Sequence, residues 1–223
     1  MIGALLFDAE GVVIDTEPLW DRGQAEFLRR RGLPYDRARL KPLLAGRSLQ
    51  ESTEALKREL GLRGDTGKLA RERADLVRRA FAEEADFVPG FRAFFDATGN
   101  GFPTALATGL APDLLALVDE RLGLSALFGG HLYTVADTGR GKPHPDLFLH
   151  AAARLGAAVP HCLVLEDAPH GVAAARAAGM WCIGLTTTHP AAHLREADRV
   201  VAGYEGLAGV LGDLGVCLPR EAP

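Results

Sequence analysis

Residues 4–17 read Ala4-Leu5-Leu6-Phe7-Asp8-Ala9-Glu10-Gly11-Val12-Val13-Ile14-Asp15-Thr16-Glu17. Four apolar residues in a row, stopped by an acid and then a glycine, have the length and character of a strand buried on both faces. The pattern returns at Thr104–Ala107, Leu132–Val135, Leu163–Leu165 and Ile183–Leu185, with Val200–Val201 a weaker sixth. A turn signal and then a helical stretch follow these runs, so successive strands are predicted to be parallel and joined by helical crossovers. The expected fold class is α/β, a doubly wound parallel sheet.

Between the first run and the second the pattern changes. From about Thr16 to Asp86 the sequence is arginine-rich with helical periodicity and no convincing strand. Helices are predicted around Pro18–Arg31, Ser48–Leu60 and Thr66–Ala82, punctuated by Gly32, Gly46, Gly61 and Gly64. Roughly seventy residues far exceed the dozen or so that a crossover needs. An all-helical domain over residues 16–87 is therefore expected as an insertion into an α/β core made of residues 1–15 and 88–223, with Val88-Pro89-Gly90 marking the return. The charge run Arg71-Glu72-Arg73, with Arg78-Arg79, reads as a solvated helix face.

Composition closes off other classes. The 223 residues are 48% hydrophobic and 24% charged, as in a soluble globular protein. Twenty-five basic against 29 acidic residues, a net charge of −4, offer no surface for a polyanion, so no nucleic-acid partner is expected. The N-terminal run lacks a basic flank and carries Asp8 and Glu10, so it reads as neither signal peptide nor membrane span, and a cytoplasmic protein is expected. Cys162, Cys182 and Cys217 are odd in number and form no Cys-x-x-Cys pair. Neither a disulfide framework nor a zinc site is indicated, and the first two read as buried thiols. Nothing demands an assembly, and a monomer is expected. Only four lysines occur, and all seven histidines lie between His131 and His193.

In an open α/β sheet, ligands bind outside the carboxyl ends of the strands. Those ends here carry Asp8 and Glu10, then Thr108-Gly109, then Glu166-Asp167, and Lys142 opens the helix after the Leu132–Val135 strand. Together they suit phosphoryl transfer. Asp8 can act as a carboxylate nucleophile, and Asp8 and Asp167 offer hard oxygen ligands to Mg²⁺. Lys142, the Thr108 hydroxyl and the Gly109 N–H can hold phosphate oxygens. Carboxylates facing a dianionic phosphate would repel it, so the charges themselves call for the cation. No P-loop spacing and no Gly-x-Gly-x-x-Gly after a strand occurs. His189 and His193 have the i, i+4 spacing of a metal pair without a third ligand, and read as surface histidines.

These motifs resemble the haloacid dehalogenase superfamily, in the branch with a helical cap after the first strand that includes beta-phosphoglucomutase and many sugar phosphatases. The likeness rests on Phe7-Asp8-Ala9-Glu10-Gly11 through Glu17, on Ala107-Thr108-Gly109, on Gly141-Lys142-Pro143-His144-Pro145-Asp146, and on Glu166-Asp167-Ala168 through Gly171 to Ala178-Gly179-Met180. It implies a magnesium-dependent phosphatase that turns over a small phosphorylated metabolite, a sugar or polyol phosphate, through an aspartyl-phosphate on Asp8. It further implies Mg²⁺ bound by Asp8, the Glu10 carbonyl and Asp167 with Glu166 in support, and phosphate held by Thr108 and Lys142. In the helical insertion, Arg47 at a helix start is the residue expected to face the site, and Trp20, which reads first as core packing, is a second candidate for substrate contact. Glu10 departs from the family's Asp-x-Asp, where the second aspartate serves as general acid and base. A weakened relative that binds a phosphorylated ligand thus stands as an alternative, as does a mutase. The mutase's cap histidine and arginine correspond to Trp20 and Leu49, which favours hydrolysis.

Overall fold

A computed structural model describes residues 2–44, 47–98 and 101–213. Gly46 and Cys217 lie outside the described residues. Six strands, β1 (Ala4–Phe7), β2 (Thr104–Thr108), β3 (Leu132–Thr134), β4 (Cys162–Glu166), β5 (Trp181–Leu185) and β6 (Arg199–Val201), form one parallel sheet in the order β3-β2-β1-β4-β5-β6. The chain is therefore the expected doubly wound α/β fold. Every residue of β1, β2 and β4 is buried, which is why these strands read as unbroken apolar runs rather than as alternating ones.

Alternation still governs which face each side chain takes. Ala4 and Leu6 join Ala105, Val164, Phe148 and Val172 in one core. Phe7 points the other way into a group of rings, with centroids 6.0 Å from Phe91, 5.9 Å from Phe95 and 5.6 Å from Phe128. Helices α5 (Phe91–Thr98), α6 (Pro112–Leu122), α7 (Leu124–Leu127), α8 (Asp146–Leu155), α9 (Pro169–Ala178) and α10 (Leu207–Asp213) belong to this part of the chain. In register, Phe7 lies beside Leu106 of β2 and Leu165 of β4. The strand order reverses at β1 and β4, so the carboxyl ends of these two neighbours frame the crevice in which such sheets bind ligands.

The chain divides into two compact units, one reaching to Thr16 and resuming at Asp86, the other spanning Glu17–Ala85. The second consists of α1 (Glu17–Arg29), α2 (Arg37–Leu44), α3 (Leu49–Leu60) and α4 (Thr66–Glu84). Its core gathers Phe27, Leu28, Leu40, Leu56, Leu62, Leu69 and Leu76. Ser48 and Glu51 form a reciprocal capping box at the start of α3, and Gly61 closes that helix in the left-handed region. Asp65 caps α4 through the Lys68 N–H.

Two readings of this unit need correction. Helix α2 falls where none was predicted, because Pro42 interrupts its pattern. Its start is nonetheless marked, since the Asp36 carboxylate accepts from the Arg39 N–H at 3.1 Å. Arg73 is not part of a solvated face: it is 2% exposed and donates to Gln24 at 2.9 Å and to Ser52 and Thr53 at 3.2 and 2.5 Å. Its neighbour Glu72 pairs with Arg31. Among the described residues, no helix is long and apolar enough to cross a membrane.

Candidate active site

Asp8 follows directly on β1, and its N–H donates to Leu165 O of β4 at 3.0 Å, which fixes it to the neighbouring strand. The chain then turns tightly. The N–H groups of Val13 and Ile14 both donate to Ala9 O, at 2.9 and 2.8 Å, and that of Gly11 donates to Ile14 O at 2.8 Å. Gly11 sits at φ 70°, where a side chain would be strained. The buried Tyr204 hydroxyl donates to Val12 O at 2.8 Å from the other end of the unit. Glu10 lies in this turn and is half-buried.

Across the strand boundary, Lys142 joins two carboxylates. Its side chain is 3% exposed, and Nζ donates to Asp8 Oδ1 and to Glu166 Oε1, the latter at 2.7 Å. Its ammonium also lies 4.8 Å from the centre of the Phe148 ring. Glu166 Oε2 accepts from the N–H groups of Asp167 and Ala168, at 2.8 and 2.9 Å. Both oxygens of Glu166 are thus engaged. Gly171 on α9 makes room for this carboxylate, since a Cβ there would overlap Glu166 Oε1 and Cδ.

Asp8, Glu166 and Asp167 each bring a carboxylate oxygen within 4.8 Å of the others, a grouping able to hold a metal ion. Three buried acids against one ammonium leave an excess of negative charge. Burial, reinforced by Glu166 and Glu10 and opposed by Lys142, pushes the Asp8 carboxyl up to about 7. Burial, then the charges of Asp8 and Glu166, push Asp167 up to about 8, against the Thr188 hydrogen bond and Lys142. Burial pulls Lys142 down, but the two carboxylates beside it outweigh that, and its ammonium is held above the ordinary lysine range.

The other sequence-selected residues sit as follows. Thr108 ends β2, next to β1, is fully buried, and its Oγ1 accepts from the Leu110 N–H at 3.0 Å. Gly109 follows it and is exposed. Trp20 and Arg47 belong to the helical unit: Trp20 packs edge-on to Phe81 at 5.2 Å, and Arg47 is exposed just before the Ser48 cap. His193 is exposed, whereas His189 is half-buried, with Nδ1 2.9 Å from Thr188 Oγ1.

Sequence reading missed Thr187 and Thr188. The Thr187 hydroxyl donates to Gly11 O at 2.5 Å, and that of Thr188 to Asp167 Oδ2. Their signal was a polar Thr186-Thr187-Thr188 run at the carboxyl end of β5, the strand beside β4. The rule that selected the other strand ends applies equally there.

A sequence profile of haloacid dehalogenase-like hydrolases matches residues 2–179. The chain is 31% identical to validoxylamine A 7'-phosphate phosphatase of Streptomyces hygroscopicus subsp. limoneus, over 89% of this chain and 92% of the relative. It is 32% identical to the fructose-1-phosphate phosphatase YqaB of Escherichia coli, over 79% and 92%. Among solved structures, a HAD family hydrolase from Deinococcus radiodurans, with phosphate and sodium bound, superposes with a TM-score of 0.84 at 28% identity, covering 98% of this chain and 99% of that one. With its sheet order, its buried carboxylates and these relatives, the chain belongs to the haloacid dehalogenase-like hydrolases and is a phosphatase of that family.

Proposed function

We propose that this phosphatase hydrolyses a small phosphomonoester of the sugar- or polyol-phosphate class, with Asp8 as nucleophile and Mg²⁺ as cofactor. The observation that carries the reading is the buried set of Asp8, Glu166 and Asp167 around the single Lys142 ammonium, at the strand ends where the sheet order reverses. The donor set suits a hard divalent cation: the oxygens are close together, and both Asp8 and Asp167 are pushed toward the protonated form without one. Asp8, Asp167 and the Glu10 carbonyl would hold the ion, and Glu166 would support them through Lys142. When bound, the cation would supply the positive charge that lets a phosphate dianion approach the carboxylates and that stabilises charge developing in transfer.

The chain's own residues divide the remaining work. An Asp8 oxygen forms the new bond to phosphorus as the ester oxygen leaves, and Glu10 gives that oxygen a proton. Glu10 then takes a proton from the water that attacks the aspartyl-phosphate, which releases inorganic phosphate and restores Asp8. Lys142 has three N–H donors and spends two on Asp8 and Glu166, which leaves one for a phosphoryl oxygen. Thr108, at the end of the neighbouring strand, and the Gly109 N–H after it would serve the same purpose. Relatives named for phosphate esters of sugars and of validoxylamine A support the substrate class. Hydrolysis rather than phosphate shuttling fits a helical unit without any histidine.

Phosphate release from a panel of sugar and polyol phosphates, with and without Mg²⁺, tests the proposal. Turnover is expected only with the cation, and Asp8→Asn is expected to lower it by at least about 10³-fold. Turnover that survives in Asp8→Asn would overturn the mechanism.

A further inference from the structure

The loop after β5 grips both halves of the carboxylate site. Asp167, when ionised, can only accept hydrogen bonds, so the Thr188 hydroxyl must spend its one proton on Asp167 Oδ2. His189 Nδ1 lies 2.9 Å from the same hydroxyl, and with Asp167 ionised, as a bound cation would keep it, Nδ1 is the donor of that contact. One residue earlier, the Thr187 hydroxyl donates to Gly11 O at 2.5 Å, on the turn that carries Asp8 and Glu10. The loop itself is anchored to the edge of the sheet, since Thr186 N–H donates to Val201 O at 2.9 Å. Packing at this point is close: a Cβ on Gly11 would lie 2.7 Å from Thr188 Cγ2 and would overlap the Asp167 carboxylate.

We infer that Thr187 and Thr188, with His189 behind them, are positioning residues that lock Asp167 and the Asp8 turn into the geometry a divalent cation requires. The inference rests on the metal reading given above and adds residues to it. A carboxylate on a single-bonded arm turns freely unless something outside the cation holds it. Here one oxygen of Asp167 meets a hydroxyl that an imidazole backs in turn, so that oxygen has a neighbour outside the cation to hold it. Thr187 ties the second wall of the site to the same three-residue loop, and the distance between the two walls is set by backbone rather than by the ion. Partners of this kind, one bond removed from the cation, are worth about 10- to 100-fold in metal affinity.

The test measures Mg²⁺ binding by calorimetry on the substrate-free full chain, with Mn²⁺ binding followed by electron paramagnetic resonance as a second probe. Thr188→Val keeps the shape and removes the hydroxyl, and is expected to weaken binding about 10- to 100-fold, while Thr188→Ser is expected to stay within about threefold of the parent. His189→Leu, which removes the donor behind the hydroxyl, is expected to weaken it about threefold to tenfold, and His189→Asn, which keeps a donor near Nδ1, is expected to restore most of that. His189→Leu also covers the case in which Thr188→Val does not fold. If the valine or the leucine variant folds and binds Mg²⁺ within twofold of the parent, the inference is overturned. A parent that binds no divalent cation would instead overturn the metal reading beneath it, so the two failures are distinguishable.

Discussion

At the scale of single residues, Glu10 as the proposed general acid is the sharpest question. Glu10 reaches about 1.5 Å further than the aspartate usual in the family. Its backbone has no freedom to absorb that length, since Ala9 O, Val12 O and Gly11 O all accept hydrogen bonds that cinch the turn. On the proposed mechanism, the longer arm is what brings the carboxyl to the leaving oxygen. Glu10→Asp is expected to lower kcat by about tenfold to 10²-fold with little change in KM, because the carboxyl retracts from the leaving oxygen. A gain in kcat would show instead that glutamate attenuates the enzyme. Gly171 offers a second residue-scale test. A methyl group there would collide with the Glu166 carboxylate, which can yield only by releasing Lys142 or the N–H groups of Asp167 and Ala168. Gly171→Ala is expected to cost about 1–3 kcal/mol in urea unfolding and to weaken turnover along with it; unchanged stability and turnover would show that the carboxylate has room to move.

Elements show why part of the molecule was legible in sequence and part was not. The central strands β1, β2 and β4 were readable because burial on both faces demands continuous apolar runs, and their carboxyl ends then indicated Asp8, Thr108, Glu166 and Asp167 together. Residues that hold these in place were not readable in the same way, since a threonine at a loop carries no chemical signature until its partner is known. In α4, charge misled. Leu69, Arg73, Val77 and Phe81 follow one another at four-residue steps along the buried face, so helical period alone would have placed Arg73 inside. Burial pulls its guanidinium down to about 10, and hydroxyl and amide partners rather than a carboxylate satisfy it. Helix contact is tightest between α1 and α4 at Gly23, where a Cβ would lie 2.6 Å from Val77 Cγ2 and 3.1 Å from Val77 Cα. A backbone atom cannot turn aside, so the helices would have to part. Gly23→Ala is accordingly expected to destabilise the protein by about 1–3 kcal/mol despite alanine's better helix propensity, as read from denaturant unfolding. A stabilised variant would show that the helices adjust at no cost.

For the whole molecule, the sheet order gathers on one rim acids that are far apart in the chain, and one of only four lysines is set among them. Folding without a cation therefore concentrates like charge in a buried place, and its consequence is a dependence on pH. Asp8 and Asp167 are raised to about 7 and about 8, well above a carboxylate in an unfolded chain. Between about pH 4 and pH 8 the folded protein without metal thus binds protons that the unfolded chain has already released, and its stability must fall as pH rises through that window. A cation bound at the site, as proposed, would displace those protons and remove the slope. Thermal unfolding with EDTA is expected to show a Tm that drops from about pH 5 to pH 8, and saturating Mg²⁺ is expected to flatten it, so that the gain from the metal grows with pH across that window. Over the same range the apparent affinity for Mg²⁺ should rise by up to about tenfold per pH unit for each proton displaced, with proton release visible when calorimetry is repeated in buffers of different ionisation heat. Parallel Tm curves with and without the metal would mean that Asp8 and Asp167 are already ionised throughout, and that Lys142 alone balances the site.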